Sequence, residues 1–382
     1  MRTIRDITVF ENIPILVRAP LNVPIENGKV ANEYRLRRVL PTIQYLRDRG
    51  ARVILISHIG EQGTETLAPV AERLGELIPD VSFFPECIGE RTRSAIRDMS
   101  PGQVLVLENL RRNKGEQHND PEFVRELAAL ADVFVQDSFD TCHRAHASII
   151  GVPKLLPSYA GLLLEEEIKE LSNALTPEHP ALAVIGGAKF STKEGVLETL
   201  LATYDQVFVG GALADDFLKA SGQEVGKSLV SSTPDGDIER MLNNPKLVLP
   251  VDSLVVPESA IGSLTVRAQA RIAPAGQVRP EEVILDHGPG TSALLANLAQ
   301  KSKTILWNGP LGNYENGFIE ATDSFARAVA SSSAHSVVGG GDTIASIEGL
   351  GLLPKFSFVS TGGGAMLDFL AKGTLPGIMA LG

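Results

Sequence analysis

The 382-residue sequence holds only two cysteines, Cys87 and Cys142. They form no metal-binding or redox spacing, so no disulfide framework organises the chain and a reducing compartment is expected. Long apolar runs are missing as well. None approaches the ~18 residues of a membrane span, and the opening residues, Met1 to Asp6, begin no apolar leader. Positive charge is short: the formal net charge of −11 argues against non-specific binding to nucleic acid. No Gly-x-Ser-x-Gly elbow is present and no nucleophile–base pair stands out. No repeat is tight enough for a solenoid. These absences leave a cytoplasmic enzyme with no membrane or nucleic-acid partner, too long for one ordinary core and so expected to hold two domains.

What the sequence does have is alternation of strand and helix, the pattern of parallel sheets covered on both faces. The first half reads as strands at Ile13–Arg18, Arg52–Ser57, Val104–Glu108 and Val133–Asp137, with helices at Leu36–Arg47, Ala68–Leu77 and Pro121–Ala131. Each strand ends in polar residues, which should converge, because ligands of open α/β sheets sit outside the carboxyl ends of the strands. Gly151 to Ser158, with Pro153 and Pro157, reads as a linker. The amphipathic stretch from Ala160 to Leu175 reads as a helix that could serve as a hinge. In the second half, strands at Ala181–Ile185, Gln206–Val209, Leu247–Leu249, Val283–Asp286, Thr304–Trp307, Ser336–Val338 and Phe356–Val359 nearly all stop at glycine clusters. One half therefore ends its strands in side chains, the other in bare backbone.

Bare backbone at a strand-to-helix turn suits phosphate, because free N–H groups meet the helix N-terminus and a Cβ would hold the anion away. Two glycine triplets are the clearest cases: Gly339-Gly340-Gly341, followed by Asp342-Thr343, and Gly362-Gly363-Gly364. Asp342 is a good Mg²⁺ anchor, since that ion takes one or two carboxylates plus substrate phosphates. Gly186-Gly187-Ala188-Lys189, continuing to Lys193, places two lysines four apart, on one face of a helix opening after a glycine pair; such charge suits a transferring phosphoryl group. Trp307 to Glu315 could wall a nucleoside, with Glu315 accepting from ribose hydroxyls. Across the first half Arg18, Asn22, Arg35, His58, Arg111, His143, Arg144 and His146 stand on or after strand tips. His143 and His146 lack a third ligand at useful spacing, so a small phosphorylated acid is the better partner than zinc. Two decoys fail. Gly222 to Ser228 is one residue short of a P-loop and follows a helix, and Gly288-Pro289-Gly290 lacks the acidic residue that a dinucleotide fold places ~20 residues later.

In this order the motifs closely resemble those of the phosphoglycerate kinases, across essentially the whole chain. Arg18…Asn22-Val23-Pro24, Ser57-His58-Ile59-Gly60, Leu107-Glu108-Asn109-Leu110-Arg111 and His143-Arg144-Ala145-His146 carry the resemblance in the first half. Gly186 to Lys189, Trp307-Asn308-Gly309-Pro310, Gly339 to Thr343, Ser360 to Ala365 and Leu375-Pro376-Gly377 carry it in the second. The resemblance implies an α/β fold of two Rossmann-like three-layer lobes with parallel sheets, joined by a hinge helix. The expected domains are residues 1–158, 159–370 with the hinge helix, and a segment 371–382 returning to the first. It implies a monomer that moves a phosphoryl group between 1,3-bisphosphoglycerate and Mg-ADP, giving 3-phosphoglycerate and ATP. Arg18, Asn22, Arg35, His58, Arg111 and Arg144 would then hold the phosphoglycerate. Gly187, Ala188, Lys189, Gly211, Asn308, Pro310, Gly312, Glu315, Gly341, Asp342 and Thr343 would serve the nucleotide and Mg²⁺. Arg35, Lys193 and the turn Gly362 to Gly364 would stabilise the group in flight. That chemistry asks for positioning and preorganised positive charge rather than covalent work.

The chain departs from the family pattern at several places. Pro20 stands where the family has an aspartate, Glu61 where it has an arginine and Asp140 where it has a glycine, leaving the acceptor region two units more negative. Asp215-Asp216 replace Asn-Thr. Asp140 and the Asp215-Asp216 pair read as exposed rim positions free to drift, whereas Pro20 removes a side chain aimed at substrate. Two alternatives stay open at this point: a paralogue that phosphorylates another carboxylate, and a nucleotide-binding protein without catalysis.

Overall fold

A computed structural model describes residues 1–231 and 235–382. The chain divides into two compact units, Met1–Lys169 with Thr374–Gly382, and Glu170–Gly373. The division falls inside the helix Leu162–Leu175.

The first unit is built on a six-stranded sheet, all parallel. Its order is Val81–Phe84, Val104–Leu107, Arg52–Ile56, Pro14–Arg18, Val133–Gln136 and Ser158–Ala160. Its inner strands are runs of apolar residues rather than alternations, because helices cover both faces; Val104–Leu107 is buried at every position. Pro14–Arg18 lies between Arg52–Ile56 and Val133–Gln136. The order of strands reverses there, and in such sheets a ligand crevice lies beyond the strand end that Arg18 occupies.

The second unit repeats the plan: Leu247–Val248, Gln206–Val209, Ala181–Ile185, Thr304–Asn308, His335–Gly339 and Phe358–Val359, again all parallel. Here the switch-point strand is the fully buried Ala181–Ile185, flanked by Gln206–Val209 and Thr304–Asn308. It delivers Gly186.

Three expectations need correction. Val283–Asp286 does not join the parallel sheet. It belongs to the strand Glu282–His287, which pairs antiparallel with Asp252–Pro257 in a separate three-stranded sheet completed by Arg271–Pro274. A short apolar run carries no mark of which sheet it enters. The stretch Gly151 to Ser158 is no extended linker. A π-helical turn, Ala147–Gly151, and a 3-10 turn, Val152–Lys154, bury Val152 and Pro153, and the chain then supplies the edge strand Ser158–Ala160. Trp307 is core, not cavity wall: it is 1 % exposed, meets Phe325 edge-to-face, and its Nε1 donates to the Gly309 carbonyl at 2.9 Å. Among the described residues no helix is long and apolar enough to cross a membrane.

One buried carboxyl inside the first unit has consequences for stability. Asp137, just past the strand Val133–Gln136, has an Oδ1 that accepts from the Leu164 N–H at 3.1 Å, while Oδ2 has no partner among the described residues. Burial pushes its pKa up to about 7. The folded chain therefore holds a proton that the unfolded chain releases near pH 4, so this group's contribution to stability declines as pH rises from about 4 to about 7. Asp137→Asn should raise the melting temperature more at pH 7.5 than at pH 5. Thermal melts of both proteins at the two pH values check this.

Candidate functional site

In the first unit Arg18 ends the switch-point strand and is 1 % exposed. Stripping a cation of water costs several kcal/mol even after relaxation, so the partners of its guanidinium matter. Nη1 donates to the Ala19 carbonyl at 2.8 Å and to Ser57 Oγ at 3.1 Å, Nε donates to Ser148 Oγ at 3.2 Å, and Nη2 lies 2.8 Å from His58 Nδ1. The last contact fixes the ring's protonation. Nδ1 must accept, leaving the proton on Nε2. Burial drives the His58 pKa far below its ordinary value, and Arg18, Arg111, Arg144 and Arg35 push it the same way. His58 is thus a neutral ring among cations.

The other expected residues gather here. Asn22 Oδ1 accepts from the Gly60 N–H at 3.1 Å, and its carbonyl accepts from Arg35 Nη1 at 2.7 Å. Arg111 Nη1 donates to the Gly60 carbonyl at 2.5 Å, while its buried Nε has no partner among the described residues. Burial lowers the Arg111 pKa, as do Arg144 and Arg18. Cations that crowd until each makes its neighbour less basic suit a multiply charged anion, which would relieve the repulsion and satisfy the orphan donor.

Ser57 stands at a strand tip and within a family motif, but Glu116 carries no such signal in the sequence. Ser148 Oγ donates to Glu116 Oε1 at 2.6 Å while accepting from Arg18, and Glu116 also takes the Ser148 N–H at 3.0 Å. Glu116 is 1 % exposed and supplies the nearest counter-charge to Arg18 through that hydroxyl. Nothing local signals it, since Lys114–Gln117 reads as an ordinary solvated turn.

The departures are not rim drift. The Asp140 side chain is only 6 % exposed and sits 3.9 Å from Arg35 Nη1. Ser138 Oγ donates to it at 2.5 Å. Asp215 and Asp216 are buried as well. Glu61 is exposed but close enough for its charge to act on Arg111. Pro20 is buried.

In the second unit a cavity of about 370 Å³ opens beside the switch-point strand. Gly187, Ala188, Gly211, Pro310, Gly312, Glu315 and Asp342 border it. Lys189, Asn308, Gly341 and Thr343 do not, although Gly341, Asp342 and Thr343 open the helix Gly341–Gly349 together. Asn308 Nδ2 instead reaches Met366 Sδ at 3.4 Å. The crossing of the loops requires glycine: a Cβ on Gly186 would stand 2.1 Å from the Pro310 carbonyl oxygen, and Gly187 has φ +99°.

Lys189 and Lys193 do not share a helix face. A 3-10 turn, Phe190–Thr192, separates them, and Lys193 becomes the cap of the helix Glu194–Thr203. Its ammonium lies about 3.0 Å from where a Cβ on Gly187 would be, and burial lowers its pKa. Lys189 is exposed. Gly362 caps the helix Gly363–Lys372, which begins with Gly363 at φ +41°.

For Mg²⁺ the residues fit. Asp342 is a carboxylate whose pKa is raised by burial and by the neighbouring charge of Glu315, and a cation would relieve both effects. Among the described residues no three His, Cys, Asp or Glu side chains gather into a metal cage. A single carboxylate suits an ion that completes its shell with phosphate oxygens and water.

A family model described as phosphoglycerate kinase matches residues 4–373. The chain belongs to the phosphoglycerate kinase family. A phosphoglycerate kinase from Pelotomaculum thermopropionicum is 43% identical over 394 residues, covering 100% of this chain and 98% of that one. One from Thermus thermophilus is 43% identical and covers 100% of both chains. Among solved structures, the phosphoglycerate kinase of Coxiella burnetii superposes with a TM-score of 0.83 at 39% identity, covering 99% of this chain and 98% of that one. That of Pyrococcus horikoshii superposes with 0.88 at 31%, covering 100% and 98%. Membership of this family makes the chain a phosphotransferase with the kinase activity the family name states, and it disfavours both alternatives left open by the sequence.

The neutral state of His58 is measurable. Ring ¹⁵N shifts should report Nε2–H with Nδ1 unprotonated throughout pH 5 to 8. A His58 signal titrating near pH 6.5 would contradict the arrangement around Arg18.

Proposed function

We propose that the first unit binds the phosphoglycerate and the second the adenine nucleotide, the chain moving a phosphoryl group between the acyl phosphate and ADP. The observation that carries this is the cationic cluster of buried Arg18 and Arg111 and half-buried Arg144 around neutral His58, with the Arg111 Nε donor unsatisfied among the described residues. In this reading Arg18, Asn22, Arg35, His58, Arg111 and Arg144 hold the phosphoglycerate. Neutral His58 offers Nε2–H to an anionic oxygen without competing for protons. Gly187, Ala188, Gly211, Pro310 and Gly312 line the nucleotide's place, Glu315 takes ribose hydroxyls, and Asp342 would hold Mg²⁺, which would offset phosphate charge. Lys189, Asn308, Gly341 and Thr343 act from beside that cavity. Arg35, Lys193 and the turn Gly362 to Gly364, in which the Gly362 N–H donates to Ser360 Oγ at 3.0 Å, stabilise the three equatorial oxygens of the group in transit. Lys193, partly desolvated, acts more strongly there than an exposed lysine would. The helix Leu162–Leu175 serves as the hinge, and exclusion of water protects the acyl phosphate from hydrolysis.

A coupled assay with ATP and 3-phosphoglycerate tests the reading. Turnover should fall by at least ~100-fold in Arg35→Ala, the scale of losing a transition-state donor; wild-type turnover no higher than that variant's would contradict it. Asp140 holds part of the charge of Arg35 for itself. Asp140→Gly should therefore lower the KM for 3-phosphoglycerate several-fold with little change in the KM for ATP, and an unchanged KM for both would show that Asp140 does not compete with the substrate.

A further inference from the structure

Asp215 stands on the helix Leu213–Ala220, one turn beyond Gly211, and borders the second unit's cavity. It is 1 % exposed, and neither Oδ1 nor Oδ2 has a hydrogen-bond partner among the described residues. Its neighbour Asp216 is buried too, yet satisfied, accepting from the Ser231 N–H at 2.6 Å and from Ser231 Oγ at 2.8 Å. A buried carboxyl with nothing to bond is unfavourable. Burial and the charge of Asp216 together hold its pKa well above the carboxylate range. The fold gains nothing from this group, so its use lies with what enters the cavity.

Its position within the cavity narrows the choice. Glu315 lies close enough for its charge to act on Asp342, and together they mark the part of the cavity suited to ribose, metal and phosphate. Asp215 reaches the cavity from a different element, the helix Leu213–Ala220. Leu229, Val283 and Leu285 give the same cavity apolar wall. Apolar wall suits the faces of a planar base, and the base's polar edge then needs a partner.

We propose that Asp215 reads the base, its carboxyl accepting a hydrogen bond from the exocyclic amino group of the bound purine nucleotide. The assignment rests on the nucleotide reading of this cavity. It holds whether the carboxyl is ionised or protonated, because either form keeps an oxygen that accepts from N–H. Asp215 is thus a specificity-determining residue, and a side chain at odds with the stability of the unit that carries it.

Equilibrium titrations with Mg-ADP and with purine riboside diphosphate, which lacks the 6-amino group, test this on the full chain. Wild type should bind the analogue about 10-fold more weakly, a difference of about 1.4 kcal/mol. In Asp215→Leu the two ligands should bind equally, at the analogue's level. Asp215→Asn keeps a carbonyl acceptor and should keep most of the preference, and it should melt no lower than wild type because an orphan acid has gone. Equal binding of both ligands by wild type, or an undiminished preference in Asp215→Leu, overturns the proposal. So does a lower melting temperature in Asp215→Asn, which would make the carboxyl structural. Failure of wild type to bind either ligand is a separate result and refutes the nucleotide reading itself.

Discussion

The contact between Arg18 and His58 is the constraint on which the first unit's site depends. An arginine at the end of a central strand has been taken almost wholly out of water. Among the described residues no carboxylate pairs with it directly. Its donors go to a carbonyl, two hydroxyls and an imidazole nitrogen, and the nearest compensating charge, Glu116, acts through Ser148. A directly paired arginine would be largely spent. One satisfied by neutral acceptors keeps its field, in a place where low dielectric makes that field count. Burial of His58 keeps the ring neutral, with that field pushing the same way, and the Arg18 contact sets its tautomer.

The second unit solves the opposite problem. Its switch-point strand ends in Gly186 and Gly187, and close approach of the Gly309–Pro310 backbone leaves no room for side chains. Backbone N–H groups and one partly desolvated ammonium, Lys193, stand where the first unit places guanidinium groups. The same α/β plan thus yields a site made of side chains in one unit and of backbone in the other. The choice follows from what each sequence puts immediately after its central strand. Two polyanionic ligands can be held in this way without either unit needing a covalent intermediate.

Much of this was legible in the sequence, and the reasons differ by feature. The parallel sheets announce themselves through apolar runs ending in polar or glycine tips, since burial on both faces removes alternation. Arg18, His58, Arg111 and Asp342 stand out because topology puts them at or just beyond strand tips, where ligands of such sheets sit. Glu116 could not, because a buried counter-charge on a short polar turn looks like any solvated glutamate. The antiparallel strand Glu282–His287 was misplaced because pairing direction is a tertiary property. Asp140 and Asp215 look like surface drift in the sequence, which does not report burial for an aspartate; both side chains are buried. Lys189 and Lys193 were put on one face because their spacing suits an α-helix, and the intervening 3-10 turn breaks that relation.

The central claim is a division of labour: one unit's buried arginine cluster holds the acidic substrate and the other unit's glycine-framed cavity holds the nucleotide. Calorimetric titration of the Arg18→Met protein with 3-phosphoglycerate and, separately, with Mg-ADP tests it most directly. Methionine keeps much of the packing volume while removing every donor, and loss of a charge-assisted set should weaken phosphoglycerate binding by at least ~100-fold. The predicted result is that phosphoglycerate binding disappears while the Kd for Mg-ADP matches wild type. Retained phosphoglycerate binding, or parallel loss of both ligands in a variant with native circular dichroism, would contradict it.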